Sequence, residues 1–415
     1  MSEDEKCSLH ERTSEADSSV AASNEANLKS FALSLVRDDL LYRLQRRLGL
    51  IPAKGSGIVR RAVFWSLLAW LPIAIWAWYT GRALPQEVNE PLLAHFGIHV
   101  RFLVAVPLLI FAEAPAQGVC MGLLPYFVQS GVIPETEEPR FRAVLTDVAR
   151  LRNASFPWVA ILALVIAVLT VSDVIHQSHE ITWAVDGEGI SQRLGFGAWW
   201  FLYVGRPIYL ALLLCWLWRV VLLFLLFGRI AKLSLSIVPT HPDRSGGLGF
   251  LARFPKAFVL VALATSAVLA SRWAHDVIYH GVTVQSLRMP MIAFVIIVVV
   301  LFLSPLFMFI GPLFHAKKLA LLEYGALVGH HGRLVRERWI EEKEVQDDAI
   351  LNAPELGPVA DTTSLYEAVK RMRIVPLGKS SVAPLVLAAA LPMIAVLAIQ
   401  MPVKQILQML LKTLI

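Results

Sequence analysis

Long apolar stretches separated by shorter polar segments make up most of this 415-residue chain. A helix needs about 20 mostly apolar residues to cross the roughly 30 Å of hydrocarbon in a bilayer. Seven windows satisfy this condition, over 62–80, 99–127, 155–175, 198–227, 257–275, 289–314 and 381–401. The pattern predicts an all-α, polytopic transmembrane helix bundle of about seven spans.

The polar segments divide the chain further. Residues 1–30 are acidic and predict a disordered tail. Residues 31–61 mix leucines with arginines, which is typical either of an amphipathic helix at the inner membrane surface or of a cytosolic helix packing on the loops. The other predicted parts are a six-span bundle, a small helical cytoplasmic module, a seventh span and an amphipathic interfacial tail, over 62–314, 315–380, 381–401 and 402–415.

The distribution of basic residues predicts how the bundle is oriented across the membrane. The net charge is +6, but the basic residues flank the apolar windows instead of forming one basic face, which argues against a nucleic-acid partner. Lysine and arginine resist translocation, so the basic segment before the first window indicates a cytoplasmic N-terminus. With seven crossings, the basic segments 128–154, 228–256 and 315–380 are then cytoplasmic as well.

Three motifs carry a resemblance. HPDRSGGLGFL follows the fourth window, EYGAL with RERW follows the sixth, and SLYEAVKRMRIVP precedes the last. Over about its C-terminal half the chain resembles a family of uncharacterised bacterial inner-membrane proteins. The resemblance implies a multi-pass protein of the bacterial inner (plasma) membrane and implies no activity. The SLYE part also has the spacing of a capping box, which predicts that a short helix begins there.

Charged residues within the windows are expensive in a bilayer and are therefore candidate functional groups. Glu113 lies well inside the second window, twelve residues after Arg101 and among prolines that can break a helix. Arg206 and Arg219 lie in the fourth window, where we expect only one of them to be deep. These four residues predict either a pathway with a buried carboxylate or a salt bridge from Glu113 to one of the two arginines.

The glycine-rich stretch PTHPDRSGGLGF raises the question of a phosphate cradle. It lacks the Lys-Ser or Lys-Thr pair of a P-loop, so a turn built on Pro242 and its neighbours is favoured. The alternative is a site for an anion or a lipid headgroup. That alternative site comprises His241, Asp243, Arg244, Gly246 and Gly247.

Histidines and aspartates gather at the ends of the third and fifth windows. Their helical spacing could bring imidazole and carboxylate ligands together around a divalent metal, the one cofactor that the sequence suggests. Ordinary interfacial polar residues are the alternative. The candidate ligands are Asp173, His176, His179, His275, Asp276 and His280.

Three functions remain open at this point. The first is a channel or transporter-like pathway for an ion or small solute. The second is a scaffold or sensor that binds a cytoplasmic protein partner, and the third is a metal-dependent membrane-embedded enzyme. The absence of a nucleophile motif favours a protein that is not an enzyme. Small residues at 262, 266 and 270 predict close helix packing, either within the chain or in a homo-oligomer. The lipid bilayer is a further expected partner.

Overall fold

The computed structural model describes most of the chain between residues 31 and 400. The described residues are 31, 34, 40–52, 55–84, 91–175, 182–186, 193–343 and 357–400. The predicted tails at 1–30 and 402–415 lie outside them. Within these ranges the protein is helical apart from one two-residue antiparallel pair, Val185–Asp186 with Arg193–Leu194.

Eleven helices, numbered in chain order, account for the described part of the fold. They are α1 Leu40–Arg47, α2 Ile58–Tyr79, α3 Phe96–Gln129, α4 Glu138–Asn153, α5 Phe156–Ile175, α6 Phe196–Ile230, α7 Val259–Tyr279, α8 Val284–Leu303, α9 Ile310–Trp339, α10 Gly357–Lys370 and α11 Lys379–Gln400. A 3-10 segment, Gly249–Phe258, leads into α7, and another, Ser304–Phe309, joins α8 to α9.

Helices long and apolar enough to cross a bilayer confirm the predicted multi-pass membrane architecture. The described residues contain six such stretches, or seven if the bent pair formed by α4 and α5 counts as one span. That pair is bent by 42° at its break. The chain is therefore an all-helical, multi-pass integral membrane protein.

Helix lengths show which parts extend beyond the hydrocarbon. Helix α2 has 22 residues and is about 33 Å long, which matches the bilayer. Helices α3 and α6 have 34 and 35 residues, about 50 Å each, so they project past it. Both contain a π-helical segment, Val100–Ala105 and Phe201–Gly205. The two segments pack closely against each other. A Cβ added to Gly205 would lie only 2.6 Å from the Phe102 ring.

The predicted stripe of small residues packs within the chain. Ala262, Ser266 and Ala270 of α7 are all buried. The Ser266 hydroxyl donates a hydrogen bond to the carbonyl of Ala389 on α11. Small side chains let two backbones approach closely in a membrane. The stripe thus joins α11 to the rest of the bundle.

One predicted helix start is wrong. Ser364 lies inside α10, which begins seven residues earlier at Gly357. Pro358 follows that glycine, and proline suits the first turn of a helix because its missing N–H has no partner there. The capping-box spacing at SLYE is therefore part of a helix interior. Its face instead lines a cleft described below.

Candidate functional site

Glu113 forms the centre of a buried ion-pair triad. Its Oε2 lies 2.7 Å from Nη1 of Arg61 on α2, and its Oε1 lies 3.1 Å from Nη2 of Arg219 on α6. Glu113, Arg61 and Arg219 are only 4%, 1% and 4% exposed. The triad therefore connects α2, α3 and α6 through a single carboxylate.

Each arginine of the triad also contacts an aromatic ring. Both oxygens of the Glu113 carboxylate are engaged by the two guanidinium groups. Arg61 lies 5.7 Å from the Tyr42 ring, and Arg219 lies 4.7 Å from the Trp216 ring. The Arg61 Nε is buried and has no acceptor among the described residues. The Glu113 carboxylate thus has both of its oxygens bound within the chain.

The triad lies near the first turn of α2 and not beside its middle. Arg61 is the fourth residue of α2. Further along α2, Ser66 donates a hydrogen bond to the carbonyl of Phe102, and Trp70 donates one to His99 at 2.9 Å. These contacts place Arg101 beside the middle of α2. Arg101 therefore lies closer to the middle of this helix than Glu113 does.

The two arginines of the fourth window have different environments. Arg219 is buried in the triad, whereas Arg206 is half-buried. The predicted salt bridge from Glu113 thus forms with Arg219. Sequence reasoning missed Arg61, which it grouped with the basic residues flanking the first window. Its position at the edge of an apolar window gave no sign that it is buried.

A cavity of about 370 Å³ opens between α6, α7 and α8. Apolar side chains form most of its wall, among them Leu213, Trp216, Leu269, Val298 and Phe302. In the part of the chain that the structure describes, its polar lining consists of Arg101, Tyr209, Thr265 and Arg272, without a carboxylate. The cavity is thus apolar and positively charged.

Both arginines of this cavity lie at the same end. Helices α6 and α7 run antiparallel, as the ring contacts of Trp216 with Phe258 and of Phe227 with Phe254 indicate. The cavity therefore has Tyr209 of α6 and Arg272 of α7 at one end. The Arg101 guanidinium lies 5.9 Å from the Tyr209 ring at this end. Charge is concentrated there, and the rest of the cavity is apolar.

In the glycine-rich loop at 239–250, the backbone amides bind an aspartate of the same loop. The Asp243 carboxylate accepts backbone hydrogen bonds from Ser245 at 2.7 Å, Gly247 at 3.2 Å and Gly249 at 2.7 Å. Burial alone would raise the pKa of Asp243, but these bonds and the bond with His241 outweigh it, so the pKa is lowered. The amides that could cradle a phosphate are therefore occupied.

The same loop has the backbone of a tight turn, as predicted. Gly246 and Gly247 have φ values of +65° and +93°, in the left-handed region that glycine tolerates best. Arg244 also has a positive φ, +57°. A Cβ on Gly246 would overlap Cγ2 of Ile237, so this glycine is required for space as well.

A second cavity, of about 380 Å³, separates this loop from α10. We call it the loop cleft. His241 and Arg244 line it on the loop side, and Thr363, Glu367 and Arg371 line it on the other. Of the predicted anion-site residues, His241 and Arg244 thus face a cavity, whereas Asp243, Gly246 and Gly247 build the turn.

The described histidines of the predicted metal site bind other groups. His275 lies with Nδ1 3.3 Å from the carbonyl of Ala94, and its ring stacks on His95 at 4.9 Å between centroids. The His280 ring is 5.3 Å from that of His275. In the part of the chain that the structure describes, no group of three or more His, Cys, Asp or Glu could hold a metal ion.

The other half of that predicted site cannot be placed. His176 and His179 lie outside the described residues, and Asp173 is described only by its backbone in α5. Asp276 lies one residue after His275 on α7. The metal site therefore stays a prediction. His95, which sequence reasoning did not select, is the residue that stacks on His275.

Comparisons of the chain with known protein families, with curated proteins and with solved structures found no match.

Proposed function

We propose that this protein binds an anionic amphiphile of the phospholipid class in the cavity between α6, α7 and α8. The observation that carries the proposal is the described lining of this cavity, with Arg101 and Arg272 at one end and apolar side chains along the rest. An acyl chain would bury its apolar surface against the apolar side chains, and a phosphate would form charge-assisted hydrogen bonds with the arginines.

The depth of Arg101 supports this assignment. A charged side chain near the bilayer centre costs about 2.5–3.5 kcal/mol on the insertion scale, and it is retained where it contacts a partner or serves a function. Arg101 lies beside the middle of α2 and packs on the rings of Phe201 and Tyr209. Basic pockets between membrane helices are typical binding sites for anionic lipid headgroups.

The Glu113 triad restricts which kind of solute a pathway through this bundle could carry. Both carboxylate oxygens of Glu113 are engaged by arginines, which favours a lock between helices over a cation or proton site. The molecule that we propose to enter this bundle is instead anionic, and it enters from the lipid. We place the protein in the bacterial inner membrane with a cytoplasmic N-terminus, on the basis of the motif resemblance and the distribution of basic residues.

A scaffold or sensor is the second candidate function. Helix α9 extends well beyond the last residue of the sixth window, and α10 packs along it. This arrangement, together with the loop cleft, offers a surface outside the spans to which a partner could bind. No arrangement among the described residues favours a metal-dependent enzyme in a comparable way.

Lipid binding to the purified protein tests the proposal. In detergent, we expect phosphatidylglycerol to raise the midpoint of thermal unfolding more than phosphatidylcholine does, because only the former is anionic. Arg101→Gln and Arg272→Gln should each weaken the binding of phosphatidylglycerol about tenfold, as expected for a lost charge-assisted hydrogen bond. Native mass spectrometry of the same samples counts the bound lipids.

Two further variants control this experiment. Arg288→Gln removes an exposed charge at the start of α8 that does not line the cavity, so it should leave binding unchanged. Leu213→Trp fills the apolar part and should block binding while both arginines remain. Equal responses to the two lipids, or unchanged binding in both arginine variants, would refute the proposal.

A further inference from the structure

The loop side of the loop cleft is rigid. The Asp243 carboxylate accepts hydrogen bonds from the backbone amides of Ser245, Gly247 and Gly249, which fixes the backbone of the loop. The carbonyl of Arg244 accepts a 2.7 Å hydrogen bond from the backbone N–H of Arg373, which fixes the loop to the chain that follows α10. The Arg244 side chain therefore starts from a fixed backbone and lines the cleft.

The opposite side of the cleft is one face of a helix and its end. Thr363, Glu367 and Arg371 are spaced four residues apart, so they share a face. Lys317 of α9 donates from Nζ to the carbonyls of Lys370 and Met372, which caps the end of α10. Both sides of the cleft are thus held in place before any ligand binds.

Among the described residues that line the cleft, positive charge is in excess. Arg244 and Arg371 line it together with His241, and Glu367 is the one carboxylate of this described lining. That carboxylate is shared by two cations, because it lies 3.6 Å from Nζ of Lys370 and 4.0 Å from Nε of Arg371. Thr240, Thr363 and Ser364 add polar groups to the wall.

We propose that the loop cleft binds a phosphate group between Arg244 and Arg371. Guanidinium groups match the geometry of phosphate oxygens and can each donate two parallel hydrogen bonds to them. A preformed pocket loses less entropy when it orders around an anion. The phosphate would be held by side chains, because Asp243 already occupies the backbone amides of the loop.

Two sources of this phosphate are open to the cleft. It lies between the ends of two spans, since α6 ends at Ile230 and the next apolar stretch begins at Gly249. A lipid headgroup and a soluble phosphorylated molecule can both reach this position. The site is separate from the cavity between α6, α7 and α8, so the two proposals can fail independently.

Calorimetric titration of the full-length protein in detergent with inorganic pyrophosphate tests the proposal. We expect saturable binding that Arg244→Gln and Arg371→Gln each weaken about tenfold or more, the usual effect of losing a bond to a charged group. Arg253→Gln is the matched control, because Arg253 is an exposed arginine near the loop that does not line the cleft. Arg272→Gln should also leave this binding unchanged.

The source of the phosphate follows from a competition experiment in nanodiscs. If phosphatidic acid in the bilayer displaces pyrophosphate, the ligand is a lipid headgroup. If it does not, the ligand is a soluble phosphorylated molecule. Both results support the site. No pyrophosphate binding in detergent, or binding that neither Arg244→Gln nor Arg371→Gln alters, would overturn it, provided that the thermal unfolding of the variants shows that they remain folded.

Discussion

Glu113 shows how one side chain can decide the arrangement of several helices. Its carboxylate contacts an arginine on each of two neighbouring helices, and all three groups are buried. Removing one partner from a buried ion pair leaves an uncompensated charge, which is costly in a medium of low polarity. The triad therefore makes the packing of α2, α3 and α6 depend on a single residue.

We expect Glu113→Gln to lower the free energy of unfolding by about 3–5 kcal/mol, because two buried arginines would lose the carboxylate that both of them contact. Glu138→Gln is the control, since Glu138 pairs with Arg142 at 4.0 Å in a more exposed position and should cost less than about 1 kcal/mol. Thermal unfolding in detergent measures both. Equal losses for the two variants would show that the triad does not lock the bundle.

At the scale of single elements, the loop at 239–250 depends on its glycines and its aspartate together. The glycines supply left-handed backbone, and the aspartate collects the N–H groups that this backbone presents. The turn was predictable because glycine, proline and aspartate favour turns for local reasons. The filled amides were not, because the spacing of Asp243 from Gly249 does not show which anion binds them.

Gly246→Ala should destabilise the protein more than Gly131→Ala does. Both glycines have a φ near +70°, at +65° and +70°, so both variants have a similar backbone cost of about 1 kcal/mol. Of the two, only Gly246 would place the new Cβ against a neighbour, Cγ2 of Ile237, whereas nothing lies within 4 Å at Gly131. Thermal unfolding of the two variants isolates the cost of the overlap. Equal midpoints would mean that Ile237 moves freely.

At the scale of the whole molecule, the bundle forms its cavities between helices that are distant in sequence. Arg101 and Arg272 come from α3 and α7, yet both line one end of the same cavity. The loop cleft likewise joins a loop before α7 to α10. Neither cavity was predictable, because periodicity within a window identifies a helix but not the neighbours against which it packs.

The expected orientation applies to the whole chain and can be tested by cysteine labelling. In a Cys7→Ser background the remaining cysteines, Cys120 and Cys215, are buried. A maleimide that cannot cross membranes should then label Gln285→Cys in intact cells and label Glu138→Cys only after lysis, because basic segments remain inside. Labelling of Glu138→Cys in intact cells would reverse the orientation.

The sequence by itself determined the class of this protein, its approximate spans and the turn at 239–250, and it offered a salt bridge of Glu113 with Arg206 or Arg219 as one of two alternatives. These properties follow from local composition, because an apolar segment has to avoid water and a buried charge needs a partner. Only the tertiary structure decided that Arg61 completes the triad, that Arg101 lies closer to the middle of α2 than Glu113 does, and that two cavities lined by arginines form. Those depend on contacts between distant segments, which no local pattern specifies.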